Sequence, residues 1–268
     1  MKKIILALFL SVTSSFASAA LVPNIDFDFG NLNLESEIKS NGTLSFSNEI
    51  GFDGETSVYA QVVALTNYQD GGKVTSGSVS GDVRINQKSN TTTSYAFTLY
   101  QDANFNEIYS PSSNFSFDLF FYDVDGHDTQ GNEYYDVVTV YTPSIAEYTT
   151  TTALTISQSD NGAATASGIG TNAIDGQFGL DDFTQDQADV AISFNFTNTA
   201  TILFDYTIVN TFNNGNRNLV FDANDLDFSG FTTQTLAVTT VPEPASYSLL
   251  LLGMLCVSMR RFKTRLTH

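Results

Sequence analysis

Between Phe115 and Tyr122 the chain reads Phe-Ser-Phe-Asp-Leu-Phe-Phe-Tyr, with Phe115, Phe117, Leu119 and Phe121 at every second position. In an extended backbone, successive side chains point to opposite faces, so a period of two places all four on one side of a strand. A helix would scatter them around its axis. Such a strand must bury its apolar face against another sheet or helix.

The same alternation recurs along the chain. From Leu21 to Gly30, Ile25, Phe27 and Phe29 alternate with Asp26 and Asp28, which predicts a strand with one wet face. Further strands are predicted at Thr43–Ser47, Ser57–Thr66, Gly81–Lys88, Thr91–Tyr100, Val137–Tyr141, Tyr148–Ile156, Val190–Thr197, Thr201–Val209, Leu219–Phe221 and Phe231–Val238. Val137–Tyr141 is expected to pair with Phe115–Tyr122 across an acidic loop. Gly71-Gly72 and Asn213-Asn214-Gly215-Asn216 are turn signals, and Asn198-Thr199-Ala200 suits a tight hairpin. Ser159 to Gln177 is rich in Gly, Ala, Asn and Asp and reads as a long loop, with one helical turn near Gln185–Asp189.

Roughly ten to twelve short strands separated by turns predict an all-β fold, a single jelly-roll-like β-sandwich. Two smaller sandwiches divided near Ser159–Gln177 are the alternative. A β-helix would need a fixed-period repeat, and none is visible.

Both ends fall outside that fold. Met1-Lys2-Lys3 is a basic start, Ile4–Leu10 an apolar run, and Ala17-Ser18-Ala19 a small-x-small cleavage site. Residues 1–19 therefore read as a secretory signal peptide, and the mature chain is expected to begin at Ala20. At the other end, Val241-Pro242-Glu243-Pro244 precedes an apolar run from Ala245 to Met259, then the basic residues Arg260, Arg261, Lys263 and Arg265. The prolines hold the motif extended, because each lacks an N–H and restricts its predecessor. The basic cluster favours the cytoplasmic side of a membrane. The apolar run is shorter than the ~20 residues that cross a bilayer comfortably.

This three-part order over residues 241–268 resembles the PEP-CTERM sorting signal of Gram-negative bacteria. The resemblance implies an exosortase and the secretion machinery as partners, with a transmembrane sorting helix holding the chain in the inner membrane before processing. It also implies cleavage near Pro242-Glu243-Pro244 and delivery to the cell surface, outer membrane or extracellular matrix. It implies nothing about the work of residues 20–240.

In the stretch 20–241, five basic residues (Lys39, Lys73, Arg84, Lys88 and Arg217) face 28 acidic ones, a net charge of −23. Such a surface repels nucleic acid and anionic membranes. The single cysteine, Cys256, lies in the apolar tail, so the exported part holds no disulfide and depends on its core.

The densest polar cluster is Asp123-Val124-Asp125-Gly126-His127-Asp128, followed by Glu133 and Asp136. Several carboxylates around a Gly are what Ca²⁺ takes, and Asp123, Asp125 and Asp128 are its candidate ligands. The spacing departs from an EF-hand, since His127 and Asp128 occupy the fifth and sixth places and Tyr134 the twelfth. A solvated acidic hairpin loop is the other reading. Asp222–Asp227 and the group Asp181, Asp182, Asp186 and Asp189 are weaker clusters. Arg217, between Asn216 and Asn218, reads as one half of a structural ion pair.

No catalytic set is legible. His127 is the one histidine before the tail, and no Gly-x-Ser-x-Gly elbow accompanies it. Gly168-Ile169-Gly170 is followed by neither the Gly nor the Lys of a phosphate loop. With 28 acids, any pair could be nominated for glycoside hydrolysis, so the nomination has little content. The expectation is a non-catalytic structural or adhesive protein of the surface or matrix. A carbohydrate-binding module is the alternative, with Tyr100, Tyr109, Tyr122 and Tyr134 as candidate contacts to extracellular polysaccharide. A glycoside hydrolase or lyase stands third.

Overall fold

The computed structural model describes residues 43–239, with breaks at 53–55, 67, 70–76, 80–81, 112–114, 130–131, 172–182, 211–214 and 223–227. The expected signal peptide, the strand expected at Leu21–Gly30 and the expected sorting segment lie outside the described residues. Among the described residues no helix is long and apolar enough to cross a membrane.

The β-rich sequence forms two antiparallel sheets. The first runs β1 (Thr43–Phe52), β2 (Ser57–Ala64), β5 (Thr91–Tyr100), β13 (Thr201–Asn210), β8 (Asn132–Tyr141), β11 (Ala163–Ser167) and β10 (Thr155–Gln158), with β7 (Gly126–Thr129) paired to β8. The second runs β15 (Thr233–Ala237), β9 (Ile145–Thr149), β12 (Ile192–Thr197), β6 (Ser116–Tyr122), β14 (Asn216–Asp222), β4 (Asp82–Lys88) and β3 (Gly77–Val79). One helical turn, α1 (Gln185–Ala188), precedes β12. Its capping box is complete, with the Thr184 hydroxyl and the Gln187 amide side chain each receiving the other's backbone N–H.

The core lies between the sheets, as a β-sandwich requires. Phe117, Leu119 and Phe121 of β6 face inward, beside Phe194 and Phe196 of β12 and Phe221 of β14. From the first sheet come Tyr95, Phe97 and Leu99 of β5, and Ile202, Phe204 and Tyr206 of β13. Phe121 is the hub: its ring lies 5.7 Å from Phe194, 5.5 Å from Phe204 and 5.4 Å from Phe221. Phe204 belongs to the opposite sheet, so the contact closes the sandwich.

Four expectations change. Val137–Tyr141 is part of β8 and pairs with β13 and β11 in the first sheet, while β6 pairs with β12 and β14 in the second. The hairpin implied by sequence proximity loses because β6 carries Phe120 and Tyr122 on its other face too. Those rings are buried with Val220, Ala188, Ala191 and Phe228, and Phe183 packs on them. A strand apolar on both faces belongs inside a sheet with both sides covered.

Asn198-Thr199-Ala200 is not a hairpin turn either. It carries the chain from β12 in the second sheet to β13 in the first. Third, the stretch expected as a long loop contains β11. Its Ala164 and Ala166 are buried, and side chains so small give no alternating large-apolar signal. Likewise, Tyr148–Ile156 divides into β9 and β10, one in each sheet.

Replacing Phe121 with alanine removes the ring that joins both sheets. Phe121→Ala is expected to cost about 3–5 kcal/mol in urea unfolding, the range for a buried phenylalanine. A loss below about 1 kcal/mol would contradict this hub.

Candidate functional site

The acidic loop does not stay in water. Leaving β6, the chain takes a left-handed step at Asp123 (φ 61°), a conformation Asp tolerates better than most residues. It then turns Asp125 inward. Asp125 and Asp136 are each 1% exposed. Arg217, reaching from β14 in the other sheet, donates from Nε to Asp136 Oδ2 at 2.7 Å and from Nη2 to Asp125 Oδ1. The Tyr206 hydroxyl donates to Asp136 Oδ1 at 2.9 Å, and the Tyr134 ring lies 4.9 Å from the guanidinium carbon.

Backbone contacts hold the carboxylates in place. The Asp136 N–H donates to Asp125 O at 2.9 Å, and the Gly168 N–H to Asp136 O at 2.9 Å. Gly126 and Gly168 allow this closeness: a Cβ on Gly126 would sit 2.5 Å from Gly168 O, and one on Gly168 2.5 Å from Asp125 O. Both glycines are thus explained by the approach of two backbones, with no phosphate involved.

Electrostatics follow from one cation serving two buried carboxylates. Burial pushes the Asp136 carboxyl up to about 7, against the pull of Arg217 and with a further push from Asp125. Burial alone would pull the Arg217 guanidinium down, but Asp136 and Asp125 more than reverse this and hold it above its ordinary value. Burial also raises the Tyr206 phenol, and Asp136 adds to it.

Of the three suspected Ca²⁺ ligands, Asp125 is therefore bound to Arg217 and Asp123 is half-buried beside it. Asp128 sits on β7 opposite Glu133, and its side chain, like that of His127, lies outside the described residues. Among the described residues no three carboxylate, imidazole or thiolate groups are placed to hold a metal ion. The solvated-loop reading is corrected for Asp125 and Asp136, and the expectation that Arg217 forms a structural ion pair holds. In the weaker clusters, the Asp189 carboxylate takes hydrogen bonds from Thr149 (2.6 Å), Thr151 (2.7 Å) and Gln185 (2.8 Å), tying α1 to the end of β9. Asp222 is buried.

The candidate sugar contacts also separate. Tyr109 is in the core, edge-on to Phe115. Tyr122 is buried and donates to Asp82. Tyr134 covers Arg217. Only Tyr100 is on an open surface, the outer face of the first sheet, where it pairs with Tyr59 and meets Phe105 edge-on at 5.4 Å.

That face is ordered. One row across the strands reads Ser45, Gln61, Thr98, Thr201. The next reads Val63, Ala96, Leu203, and one step beyond the Phe204–Val140 pair it continues into Tyr141. The third reads Ser94, Asp205, Thr139, Thr165, Ser157. Hydrogen bonds link neighbours: Gln61 to Ser45 at 2.9 Å, Thr139 with Thr165 at 3.0 Å, Thr92 with Thr207 at 2.9 Å and Tyr141 to Asp205 at 2.7 Å. The bond to Asp205 raises the Tyr141 phenol, so it stays a donor. Sequence reading passed over Tyr59, Leu203 and Tyr141 because alternation identifies an outward face without saying which rows line up across five strands.

No family model and no curated protein matches the chain. Two solved structures show some likeness. One is the glucan binding protein C of Streptococcus mutans, 13% identical with a TM-score of 0.42, covering 75% of this chain and 62% of that one. The other is the adhesin domain of PrgB from Enterococcus faecalis, 11% identical with a TM-score of 0.40, covering 75% of this chain and 83% of that one. The chain thus spans less than two thirds of the length of the first.

The raised Asp136 carboxyl sets a pH dependence. Its charged form is disfavoured in the fold, so its stabilising contribution is fully present below the unfolded carboxyl's value near ~4. That contribution is lost as pH rises towards 7. Relative to Asp136→Asn, the wild type is expected to lose stability between pH 4 and 7, on the order of a few kcal/mol, and to run parallel above pH 7. Parallel melting profiles from pH 4 to 8 would contradict it.

Proposed function

We propose that this chain is an exported, non-catalytic β-sandwich that acts as a structural or adhesive protein at the cell surface or in the extracellular matrix. One sequence observation carries the reading: residues 1–19 have the pattern of a signal peptide and 241–268 resemble a PEP-CTERM segment, on either side of the sheet-forming stretch. The partners that follow are the secretion machinery and an exosortase, with the membrane engaged through the C-terminal segment until processing. Nucleic acid is a poor partner for so acidic a chain. The chain crosses repeatedly between the sheets, as from β4 to β5 to β6 and from β12 to β13 to β14, which fits a jelly-roll-like sandwich.

The non-catalytic reading is supported by where the suspected chemistry went. Asp125 and Asp136 are closed on Arg217, which leaves neither free to act as acid or nucleophile on an outside sugar. A second reading, a carbohydrate-binding module, is favoured by the open face of the first sheet, where Tyr59 and Tyr100 border rows of hydroxyl groups.

Mass spectrometry of the protein recovered from surface and extracellular fractions tests the main reading. The expected product begins at Ala20 and ends near Pro244. Full-length chain confined to the soluble cytosol would overturn it.

A further inference from the structure

We propose that the outer face of the first sheet binds an uncharged polysaccharide chain laid across the strands. Its sugar rings would lie on the apolar row Val63–Ala96–Leu203–Tyr141, and its hydroxyls on the polar rows at either side. The inference rests on the reading of the chain as an exported surface protein.

The argument begins with the shape of a sugar. A pyranose ring is apolar on its C–H faces and polar around its rim. A surface that suits it offers an apolar strip between hydrogen-bonding groups, with a few polar groups fixing orientation. This face has that order. Leu203, 44% exposed, stands in the middle of the apolar row. Gln61 and Thr201 flank the row on one side, with Thr98 buried between them, and Asp205 and Thr139 flank it on the other. Neighbouring strands lie ~4.8 Å apart, so four positions extend over roughly 14 Å, and rows two residues apart along a strand stand roughly 6.7 Å from one another. A short oligosaccharide fits that strip with its rim groups over both polar rows.

The polar rows are set in advance. The Gln61–Ser45, Thr139–Thr165 and Tyr141–Asp205 hydrogen bonds hold the side chains before a ligand arrives. Each hydroxyl oxygen so engaged has two lone pairs and retains acceptor capacity. Fixing the side chains beforehand lowers the ordering cost of binding.

Charge selects the occupant. The chain carries a net charge of −18, yet these three rows contain one formal charge, Asp205, whose carboxylate takes a hydrogen bond from Tyr141. A polyuronate or another acidic polymer is repelled by the molecule as a whole. A neutral polymer meets a near-neutral strip and incurs no such penalty. Leu203 would otherwise stand alone and exposed. Tyr59 and Tyr100 extend the strip past the Gln61–Thr98 pair with further ring surface.

The test is affinity electrophoresis of the protein recovered from cells, in native gels containing laminarin, dextran or xyloglucan, with alginate as the anionic counterpart. Retardation is expected with at least one uncharged polymer and not with alginate. Leu203→Asp and Ala96→Lys, both on the solvent side, are expected to weaken that retardation at least tenfold while leaving the melting temperature within a degree or two of wild type. Retardation in none of the three uncharged gels overturns the proposal, as does stronger retardation in alginate or equal retardation of both variants. Absence of retardation in protein found at the surface with trimmed ends defeats this inference alone. Full-length cytosolic protein defeats the export reading beneath it.

Discussion

One guanidinium crosses the sandwich. Arg217 leaves β14 in the second sheet and ends between Asp136 of the first sheet and Asp125 of the segment that joins them. Two carboxylates out of water are tolerable only with a partner and further hydrogen bonds, because desolvating each costs several kcal/mol. Here Tyr206 takes up an oxygen of Asp136, and Tyr134 covers the guanidinium. The trio decides the path of the chain after β6, brings Gly126 against Gly168, and places β7 beside β8. A well-packed apolar replacement of the whole trio often does as well. Removing Arg217 alone leaves two buried carboxylates without their cation, which is the costly change.

The aromatic core does the rest of the holding. With no cysteine in residues 20–241, the sheets are joined by rings: Phe121 and Phe221 from one side, Phe204 and Phe97 from the other. The interior takes up most of the large apolar groups, and the outer face of the first sheet is left with hydroxyls, amides and a narrow apolar strip. Asp125 and Asp136 close on Arg217, and Asp189 on the local hydroxyls of Thr149 and Thr151.

Much of this was legible beforehand. Period-two patterning located β4, β5, β6, β12 and β13 within a residue or two, since each buries one face and the side-chain period is 2. A helical turn was expected near Gln185–Asp189 and α1 stands there, while its capping box came only with the structure. Pairing was not. Whether β8 lies beside β6 or β13 depends on contacts between residues some seventy positions apart, as with Asp205 and Thr139, which no local pattern encodes. β11 was missed because Ala164 and Ala166 bury small side chains where alternation looks for large ones. At the site, a cation among many acids, Arg217, was the readable signal. That Asp125 and Asp136 would be its partners was not readable, because they come from different elements and meet Arg217 only through the sheet-to-sheet crossing.

Equilibrium urea unfolding of Arg217→Met at pH 8 most directly tests whether that crossing holds the fold as described. Asp125 and Asp136 would then be buried without their cation, and a loss of about 3–5 kcal/mol relative to wild type is the expected result. An unfolding curve that overlays that of the wild type would contradict the central place given to Arg217.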